Sequence, residues 1–206
     1  VGTLTVYAFS ADNWKRPAAE VGALMDLLRG YLARDVAHLV RSDVRLQMIG
    51  RRDRLPDGMA EAIEDAERRT RHGRRLLLRV ALDYSSRAAI LEAVTQHHAN
   101  LQKHSTHAEL ARDLTGGTLV EDVDLLIRTS GEKRLSDFLL WEAAYAELHF
   151  TQTHWPDFDA CELASALHDY HTRERRFGGL GETVTDAPDA ASVHAFELLP
   201  AGAGAP

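Results

Sequence analysis

Short apolar runs alternate with stretches of helical periodicity along most of this chain. Strand-like runs are predicted at Leu4–Phe9, Val44–Ile49, Leu76–Leu82 and Asp124–Ile127. The run Leu76–Leu82, LLLRVAL, is almost continuously apolar, which is typical of a parallel strand that is buried on both faces. Helices are predicted over Glu20–Arg41, Arg87–His98, Thr106–Leu114, Phe138–Leu148 and Asp159–Arg175. A further helix is predicted to begin at Pro56. This order predicts an α/β fold with a central, mostly parallel sheet flanked by helices.

The composition is that of a folded domain followed by a tail. The 206 residues are 45% hydrophobic and 27% charged, which is enough for a sizeable core. From Glu182 onward the chain is rich in Ala, Gly, Pro and Asp. Residues 1–181 are therefore predicted to form the domain, and residues 182–206 a disordered tail.

Charge and cysteine content narrow the class of protein. The formal net charge of −7 argues against non-specific binding of nucleic acid. Cys161 is the single cysteine, which fits a reducing compartment. No apolar run approaches the roughly 20 residues of a membrane span. A cytoplasmic protein is expected.

Polar loops follow two of the predicted strands. In Ala8–Glu20, AFSADNWKRPAAE, the residues Ser10, Asn13 and Arg16 offer a hydroxyl, an amide and a guanidinium. The run Ile127–Ser136, IRTSGEKRLS, places small residues and two arginines after another strand. Ligands of open α/β sheets bind at the carboxyl ends of strands. Two arginine-bearing loops there predict an anionic ligand, with phosphate as the first choice.

Taken one at a time, these residues also allow structural roles. Helix capping and surface contacts would account for the first loop, and salt bridges would account for the arginines. A P-loop or dinucleotide-binding protein requires GxxxxGK[ST] or GxGxxG after a strand, and neither string occurs. The 11 histidines do not show the spacing of zinc ligands.

Four blocks of sequence span nearly everything before the tail. They are Leu4–Val21, Arg79–Ile90, Asp124–Phe150 with Trp155–Asp159, and Arg173–Gly179. The strings AFSxxNWxRP and IRTSGExRxSxFLLW within them are long and specific, and they resemble the cis-prenyltransferases, the family that includes undecaprenyl diphosphate synthase. The resemblance implies condensation of isopentenyl diphosphate with an allylic diphosphate, such as farnesyl diphosphate, to a cis-polyprenyl diphosphate. It also implies a hydrophobic tunnel between the sheet and the long helix.

The resemblance assigns roles to individual residues. Isopentenyl diphosphate would be held by Arg128, Arg134, Leu135 and Ser136. The loop that closes over the substrates would comprise Ser10, Ala11, Asp12, Asn13, Trp14 and Arg16. Asn13 would act near the proton-transfer step as an orienting group, because an amide is a poor base. Glu147 would help to coordinate Mg²⁺. Arg176 with Gly178–Gly179 would bring further donors, either to the site of the same chain or across a dimer.

The resemblance also has consequences for assembly and location. Phe138–Phe150 is unusually apolar for a surface helix, and in this family it would pack against its copy in a homodimer. A polyprenyl product is expected to partition into the membrane, and a peripheral membrane association of the protein stays open.

The sequence departs from the family pattern at several places. The Asp-Gly-Asn-Gly-Arg-Trp loop, which carries the family's principal catalytic aspartate, does not occur in the 206 residues. An amino-terminally shortened synthase is expected, so these residues alone should be a weak catalyst. The alternative is a non-catalytic prenyl-diphosphate-binding relative or a subunit of a synthase. Smaller departures are Asp83, Ser85–Ser86, Lys133 and Asp137, where Asn, Gly-Gly, His and Asn are usual.

Overall fold

The computed structural model describes residues 1–99, 106–115 and 120–173. The predicted tail, and Arg176 with Gly178–Gly179, lie outside the described residues. The chain divides into two compact units. Unit 1 comprises Val1–Asp122 and Leu135–Ala144, and unit 2 comprises Val123–Arg134 and the chain from Tyr145 onward.

Unit 1 contains a three-stranded parallel sheet. Its elements are β1 (Thr3–Ser10), a short 3₁₀ helix (Ala11–Lys15), α1 (Ala18–Arg41), β2 (Val44–Ile49), α2 (Met59–Thr70), β3 (Leu76–Tyr84), α3 (Ser86–Ala99) and α4 (His107–Leu114). The strand order is β1-β3-β2, and β3 pairs in parallel with both neighbours. Each pair of successive strands is joined through a helix, as parallel pairing requires.

The core of unit 1 lies between this sheet and the first two helices. Its buried residues are Phe9, Val21, Met25, Leu32, Val36, Leu46, Met48, Met59, Ile63, Ala66 and Leu82. Met59, Ile63 and Ala66 recur at helical spacing in α2, and each is at most 1% exposed. Burial of these side chains is the main stabilising contribution here. They pack against one another between α1 and the sheet, and the hydrophobic tunnel stays a prediction.

Unit 2 contains a two-stranded parallel sheet. It consists of β4 (Leu125–Arg128) and β5 (Glu147–Phe150), followed by a 3₁₀ turn (Trp155–Asp157) and α5 (Ala160–Thr172). Asp159 caps α5, because its carboxylate accepts hydrogen bonds from the backbone N–H groups of Cys161 and Glu162. The α/β class with parallel strands is thus confirmed, and the described strands form two sheets. None of the helices described combines the length and the apolar character that a membrane span requires.

The predicted helix Phe138–Leu148 is wrong. Ser136, Asp137 and Leu139 have φ angles of +50°, +62° and +47°, which lie in the left-handed region and interrupt a right-handed helix. The chain forms turns from here and then enters β5, where the N–H of Glu147 donates to the carbonyl of Asp124 at 2.9 Å. The apolar residues of this segment have the spacing of a helix. The left-handed residues at its start and the strand at its end give it a turn conformation instead.

The predicted start of the second helix at Pro56 is also wrong. Gly58 has a φ angle of +75° and precedes the helix, which begins at Met59. The backbone N–H of Met59 donates to the carbonyl of Pro56 at 3.0 Å, so the proline belongs to the preceding turn.

Candidate active site

A small pocket lies at the carboxyl ends of β1 and β3. It has a volume of about 220 Å³ and is lined by Tyr7, Ser10, Ala11, Asp12, Tyr84, Ser85, Ser136 and Asp137. Ser10 is aligned with Tyr84 in the β1–β3 register, so both strands end at this pocket. The structure therefore brings together Ser10, Ala11 and Asp12 of the first predicted loop with Ser136 of the second.

Asn13 shapes the first loop through its side-chain amide. Its Oδ1 accepts a hydrogen bond from the backbone N–H of Ser10 at 2.9 Å, and its carbonyl accepts one from the N–H of Arg16 at 3.0 Å. These bonds close the 3₁₀ turn that follows β1. The oxygen of the amide is already engaged, which favours an orienting role over a role as a base.

The charged residues of this loop form ion pairs on the surface. Lys15 donates to Asp12 at 2.6 Å, and this hydrogen bond holds the pKa of Asp12 below its usual range. Arg16 pairs with Glu20 at 2.7 Å, with both side chains about half exposed. Exposed pairs of this kind contribute little stability. The guanidinium of Arg16 can therefore exchange Glu20 for a diphosphate at little cost.

Aromatic rings pack beside the pocket. Tyr7 stacks on Phe138 with 4.5 Å between ring centroids, and Tyr84 meets both rings edge-on at 6.0 and 6.1 Å. The Tyr7 hydroxyl donates to the carbonyl of Tyr84 at 3.2 Å. Burial raises the pKa of the Tyr84 phenol, so this ring stays neutral at physiological pH.

Asp137 joins the second loop of the pocket to the start of α3. Its Oδ2 accepts a hydrogen bond from the Ser85 hydroxyl at 2.5 Å, and its Oδ1 accepts one from the N–H of Arg87 at 3.0 Å. The hydroxyl of Ser86 in turn accepts from the N–H of Leu140 at 3.0 Å. These bonds hold Ser136 and its neighbours in their left-handed conformation. Leu135, also predicted for the site, is half-buried beside Ser136 but does not line the pocket.

Unit 2 carries the two predicted arginines. Arg128 ends β4 and is half-buried, and none of the acidic residues described forms an ion pair with it. The loop that follows is held by hydrogen bonds from the N–H groups of Ser130 and Gly131 to the carbonyls of Thr153 and Thr151, each of 2.9 Å. Gly131 has a φ angle of +71°, a left-handed conformation that favours glycine, and it lies against the end of the Gln152 side chain.

Arg134 is exposed and pairs with Glu132. A surface guanidinium with a neighbouring carboxylate is a common structural arrangement, and its pairing is weak enough to exchange for a phosphate. Ser136 belongs to unit 1 and Arg128 with Arg134 to unit 2. Their convergence on one diphosphate stays a prediction.

Glu147 is the first residue of β5 and does not lie on a helix, which corrects its predicted setting. It accepts a hydrogen bond from Arg173 at 2.9 Å, and Arg173 also pairs with Asp169 at 2.6 Å. In the β4–β5 register Glu147 is aligned with Leu125, whereas Arg128 is aligned with Phe150. The two residues therefore stand about 10 Å apart along the strands. Unit 2 does not bring Glu147 and Arg128 together.

The described residues do not form a magnesium site by themselves. No group of three or more His, Cys, Asp or Glu side chains among them is placed to hold a metal ion. Glu147 offers one carboxylate, and Arg173 already compensates its charge. Mg²⁺ in phosphate-handling sites is commonly held by one or two carboxylates together with substrate oxygens. Glu147 could supply at most one of those ligands.

Comparison with known proteins identifies the family. The family described as "Putative undecaprenyl diphosphate synthase" matches residues 1–178. Isoprenyl transferase 1 of Bradyrhizobium diazoefficiens is 62% identical over 180 residues, which are 87% of this chain and 72% of that protein. The chain belongs to the isoprenyl transferase family. Isoprenyl transferase of Chromobacterium violaceum is 43% identical over 186 residues, with 90% of this chain and 74% of that protein covered.

Solved structures of isoprenyl transferase relatives share the fold. A probable undecaprenyl diphosphate synthase from Campylobacter jejuni superposes with a TM-score of 0.79 at 34% identity, over 86% of this chain and 85% of that chain. Lavandulyl diphosphate synthase from Lavandula x intermedia, solved in complex with dimethylallyl diphosphate, gives a TM-score of 0.81 at 34% identity. It matches 86% of this chain and 79% of its own. The predicted family and its enzymatic class are confirmed.

Four residues that line the pocket of this chain were not among the predicted site residues. They are Tyr7, Tyr84, Ser85 and Asp137. Tyr7 and Tyr84 lie on predicted or flanking strand sequence, where an aromatic residue is ordinarily read as core. Ser85 and Asp137 were visible only as departures from the family pattern. That both positions differ from the family pattern was the one signal in the sequence that the two side chains interact.

Proposed function

We propose that this protein is an isoprenyl transferase that condenses isopentenyl diphosphate with an allylic diphosphate to form a cis-polyprenyl diphosphate. The observation that carries the proposal is the pocket at the carboxyl ends of β1 and β3. It unites Ser10, Ala11 and Asp12 with Ser136, residues from two separate motifs of the family. The 62% identity to isoprenyl transferase 1 of Bradyrhizobium diazoefficiens supports the same reaction.

The proposed reaction forms one carbon–carbon bond and breaks one carbon–oxygen bond. The alkene of isopentenyl diphosphate attacks C1 of the allylic substrate as pyrophosphate leaves with the electron pair of the C1–O bond. A proton is then lost from C2 of the isopentenyl unit, and the departing pyrophosphate is the base available to accept it. Asn13 orients the loop beside this step and does not itself take the proton.

Arginine side chains can compensate the negative charge of the substrates in this reaction. Two diphosphates must lie close together, and negative charge develops on the leaving group in the transition state. Preorganised cationic donors stabilise such charge strongly in a site that excludes water. Arg128 and Arg134 are proposed to bind isopentenyl diphosphate together with Ser136, and Arg16 is proposed to bind the allylic diphosphate. Arg128 is the most available of these, since it forms no ion pair among the residues described.

Magnesium is proposed as the cofactor, with Glu147 as its candidate protein ligand. When bound, Mg²⁺ would neutralise charge on a diphosphate. Because Glu147 is paired with Arg173, diphosphate oxygens would have to supply most of the remaining ligands.

A homodimer and a membrane-bound product complete the proposal. Tyr145 and Trp155 of unit 2 are 68% and 65% exposed, so aromatic surface is available for association. A long polyprenyl chain is apolar and is proposed to partition into the membrane after release. Sedimentation velocity at micromolar concentration would test the dimer, and a monomer there would contradict it.

The proposed reaction is tested with radiolabelled isopentenyl diphosphate, farnesyl diphosphate and Mg²⁺. Label should move into a butanol-extractable product only when the allylic substrate is present. Omission of farnesyl diphosphate is the control for non-specific extraction. Because a slow rate is expected of these residues alone, the assay is extended to high enzyme concentration and long incubation. Saturable binding of both diphosphates without any product under those conditions would overturn the enzymatic proposal in favour of a prenyl-diphosphate-binding protein. Absence of both binding and product would overturn either reading.

A further inference from the structure

Residues from the carboxyl-end region of all three strands of unit 1 meet at one guanidinium group. Arg54 lies in the loop after β2, Asp83 is near the carboxyl end of β3, and Trp14 lies in the loop after β1. Arg54 contacts both of the other residues. We refer to Trp14, Arg54 and Asp83 as the Arg54 cluster.

Asp83 provides the fixed end of the Arg54 cluster. Its side chain has no solvent exposure, whereas the side chain of Arg54 is 38% exposed. Arg54 Nε donates to Asp83 Oδ2 at 2.9 Å, and Arg54 Nη2 donates to Asp83 Oδ1, so the contact is bidentate. A bidentate contact of this kind fixes the plane of the guanidinium as well as its position. Because a buried carboxylate without a partner is costly, Asp83 and Arg54 hold each other in place.

Trp14 packs at the second end of the Arg54 cluster, against the guanidinium. The guanidinium carbon of Arg54 lies 5.8 Å from the centroid of the Trp14 ring, within the range of a cation–π contact. The same ring also meets the buried Phe9 edge-on, with 5.1 Å between ring centroids. The indole Nε1 is buried and has no hydrogen-bond acceptor among the residues described. The position of Trp14 is therefore set by contacts of its ring, and the contact with Arg54 is the one that involves a charged group.

The neighbouring arginines of the same loop do not reach Trp14. Arg51 pairs with Asp53 at 2.5 Å within the loop, and Arg52 pairs with Glu67 of α2 at 2.8 Å. Arg51, Arg52 and Arg54 are close in sequence, and each carries one positive charge. Of these three arginines, Arg54 alone has a described contact with Trp14, which makes Arg51 a suitable control.

We propose that Arg54 is a positioning residue for the loop from Ser10 to Arg16. By holding Trp14 against Phe9, it fixes the loop in the conformation that places Ser10 and Asp12 at the pocket. The ion pair with the buried carboxylate of Asp83 in turn fixes the position of Arg54. The role in substrate binding rests on the proposed function, since it concerns the loop that would close over the diphosphates.

The conformational part of the proposal is tested by the fluorescence of Trp14. Trp141→Phe and Trp155→Phe leave Trp14 as the sole tryptophan, and Arg54→Gln, Arg54→Lys and Arg51→Gln are compared in that background. Arg54→Gln should shift the emission to longer wavelength and raise quenching by acrylamide, because the ring loses its charged contact. Arg54→Lys should give a smaller change, and Arg51→Gln should give none. Identical emission and quenching for Arg54→Gln and its parent would overturn the proposal.

The functional part is tested by steady-state kinetics with Arg54→Gln in the otherwise unmodified protein. Loss of the charge-assisted contact should raise the KM for the allylic diphosphate by about tenfold or more, with a smaller change in kcat. An unchanged KM alongside altered Trp14 fluorescence would overturn the positioning role while leaving the proposed reaction intact. If the unmodified protein formed no product, the proposed function would fail, and the fluorescence comparison would still decide the role of Arg54. If Arg54→Gln does not fold, Arg54→Lys replaces it in both tests, and unchanged Trp14 fluorescence and KM for Arg54→Lys would then overturn the proposal.

Discussion

Ser85 Oγ lies 2.5 Å from Asp137 Oδ2, and this hydrogen bond joins residues 52 positions apart in the sequence. Both residues stand where cis-prenyltransferases usually have other residues, namely Gly and Asn. The hydroxyl of Ser85 and the carboxylate of Asp137 therefore form a contact that a Gly–Asn pair cannot make in the same way. The two departures are physically coupled, and they lie at the lining of the pocket.

Replacement of Asp137 by Ala should destabilise unit 1. The carboxylate accepts from Ser85 Oγ and from the N–H of Arg87 in the first turn of α3, so its loss should cost about 1–2 kcal/mol of unfolding free energy. Urea denaturation measures this change. Asp53→Ala, which removes an exposed ion pair with Arg51, is the control and should cost about 0.5 kcal/mol or less.

A double-mutant cycle with Ser85→Ala tests the coupling itself. If the two residues stabilise the protein through their mutual contact, the double variant should be less destabilised than the sum of the single variants. The difference should be on the order of 0.5–1.5 kcal/mol. Strict additivity would show that Ser85 and Asp137 act independently.

Sequence patterns predicted the regular elements well wherever hydrophobic period and turn residues agreed. β2 was predicted with its observed bounds, Val44–Ile49, and the helix predicted over Glu20–Arg41 begins two residues earlier. The segment after Phe138 failed because its apolar spacing suggests a helix. Left-handed conformations at Ser136, Asp137 and Leu139 depend on hydrogen bonds from α3, which is distant in sequence.

The candidate site was predictable only in part for the same reason. Local motifs located Ser10, Asp12 and Ser136, because each follows a recognisable strand. The ion pair between Arg54 and Asp83 joins residues 29 positions apart and depends on the β2–β3 pairing. A contact of that kind leaves no local pattern in the sequence, so the role of Arg54 is not predictable from its neighbours along the chain.

Arg134→Ala should weaken binding of isopentenyl diphosphate. Loss of the proposed contact to phosphate should cost about 2–4 kcal/mol and raise KM by roughly 30-fold or more. Arg68→Ala is a matched control, because Arg68 is 62% exposed and pairs with Asp65, while Arg134 is 64% exposed and pairs with Glu132. Equal KM values for Arg134→Ala and the control would show that Arg134 does not bind isopentenyl diphosphate.

Removal of magnesium should abolish product formation, and Glu147→Gln should raise the requirement for the metal. We expect the Mg²⁺ concentration for half-maximal rate to rise by about tenfold or more, the equivalent of about 1.4 kcal/mol. Glu162→Gln, on α5 of the same unit, is the control. Because Glu147 also pairs with Arg173, thermal unfolding must be measured in parallel. Lower stability with an unchanged Mg²⁺ requirement would make Glu147 a structural residue.

Asp169→Asn should remove an acid-sensitive contribution to stability. Hydrogen bonds from His149, and then from Arg173, hold the pKa of Asp169 below its ordinary value. A carboxyl group whose pKa is depressed in the folded state binds fewer protons there than in the unfolded chain. Its contribution is therefore complete above the unfolded pKa of about 3.9 and is lost as the pH falls through the folded pKa.

Urea denaturation from pH 5 down to the acid limit of folding would measure this contribution. The difference in unfolding free energy between the unmodified protein and Asp169→Asn should be largest at the upper end and should shrink below about pH 4. His149→Gln should retain part of the pH dependence, because Arg173 remains 2.6 Å from Asp169. Stability curves that stay parallel over the whole range would show that the ionisation of Asp169 makes no acid-sensitive contribution to folding.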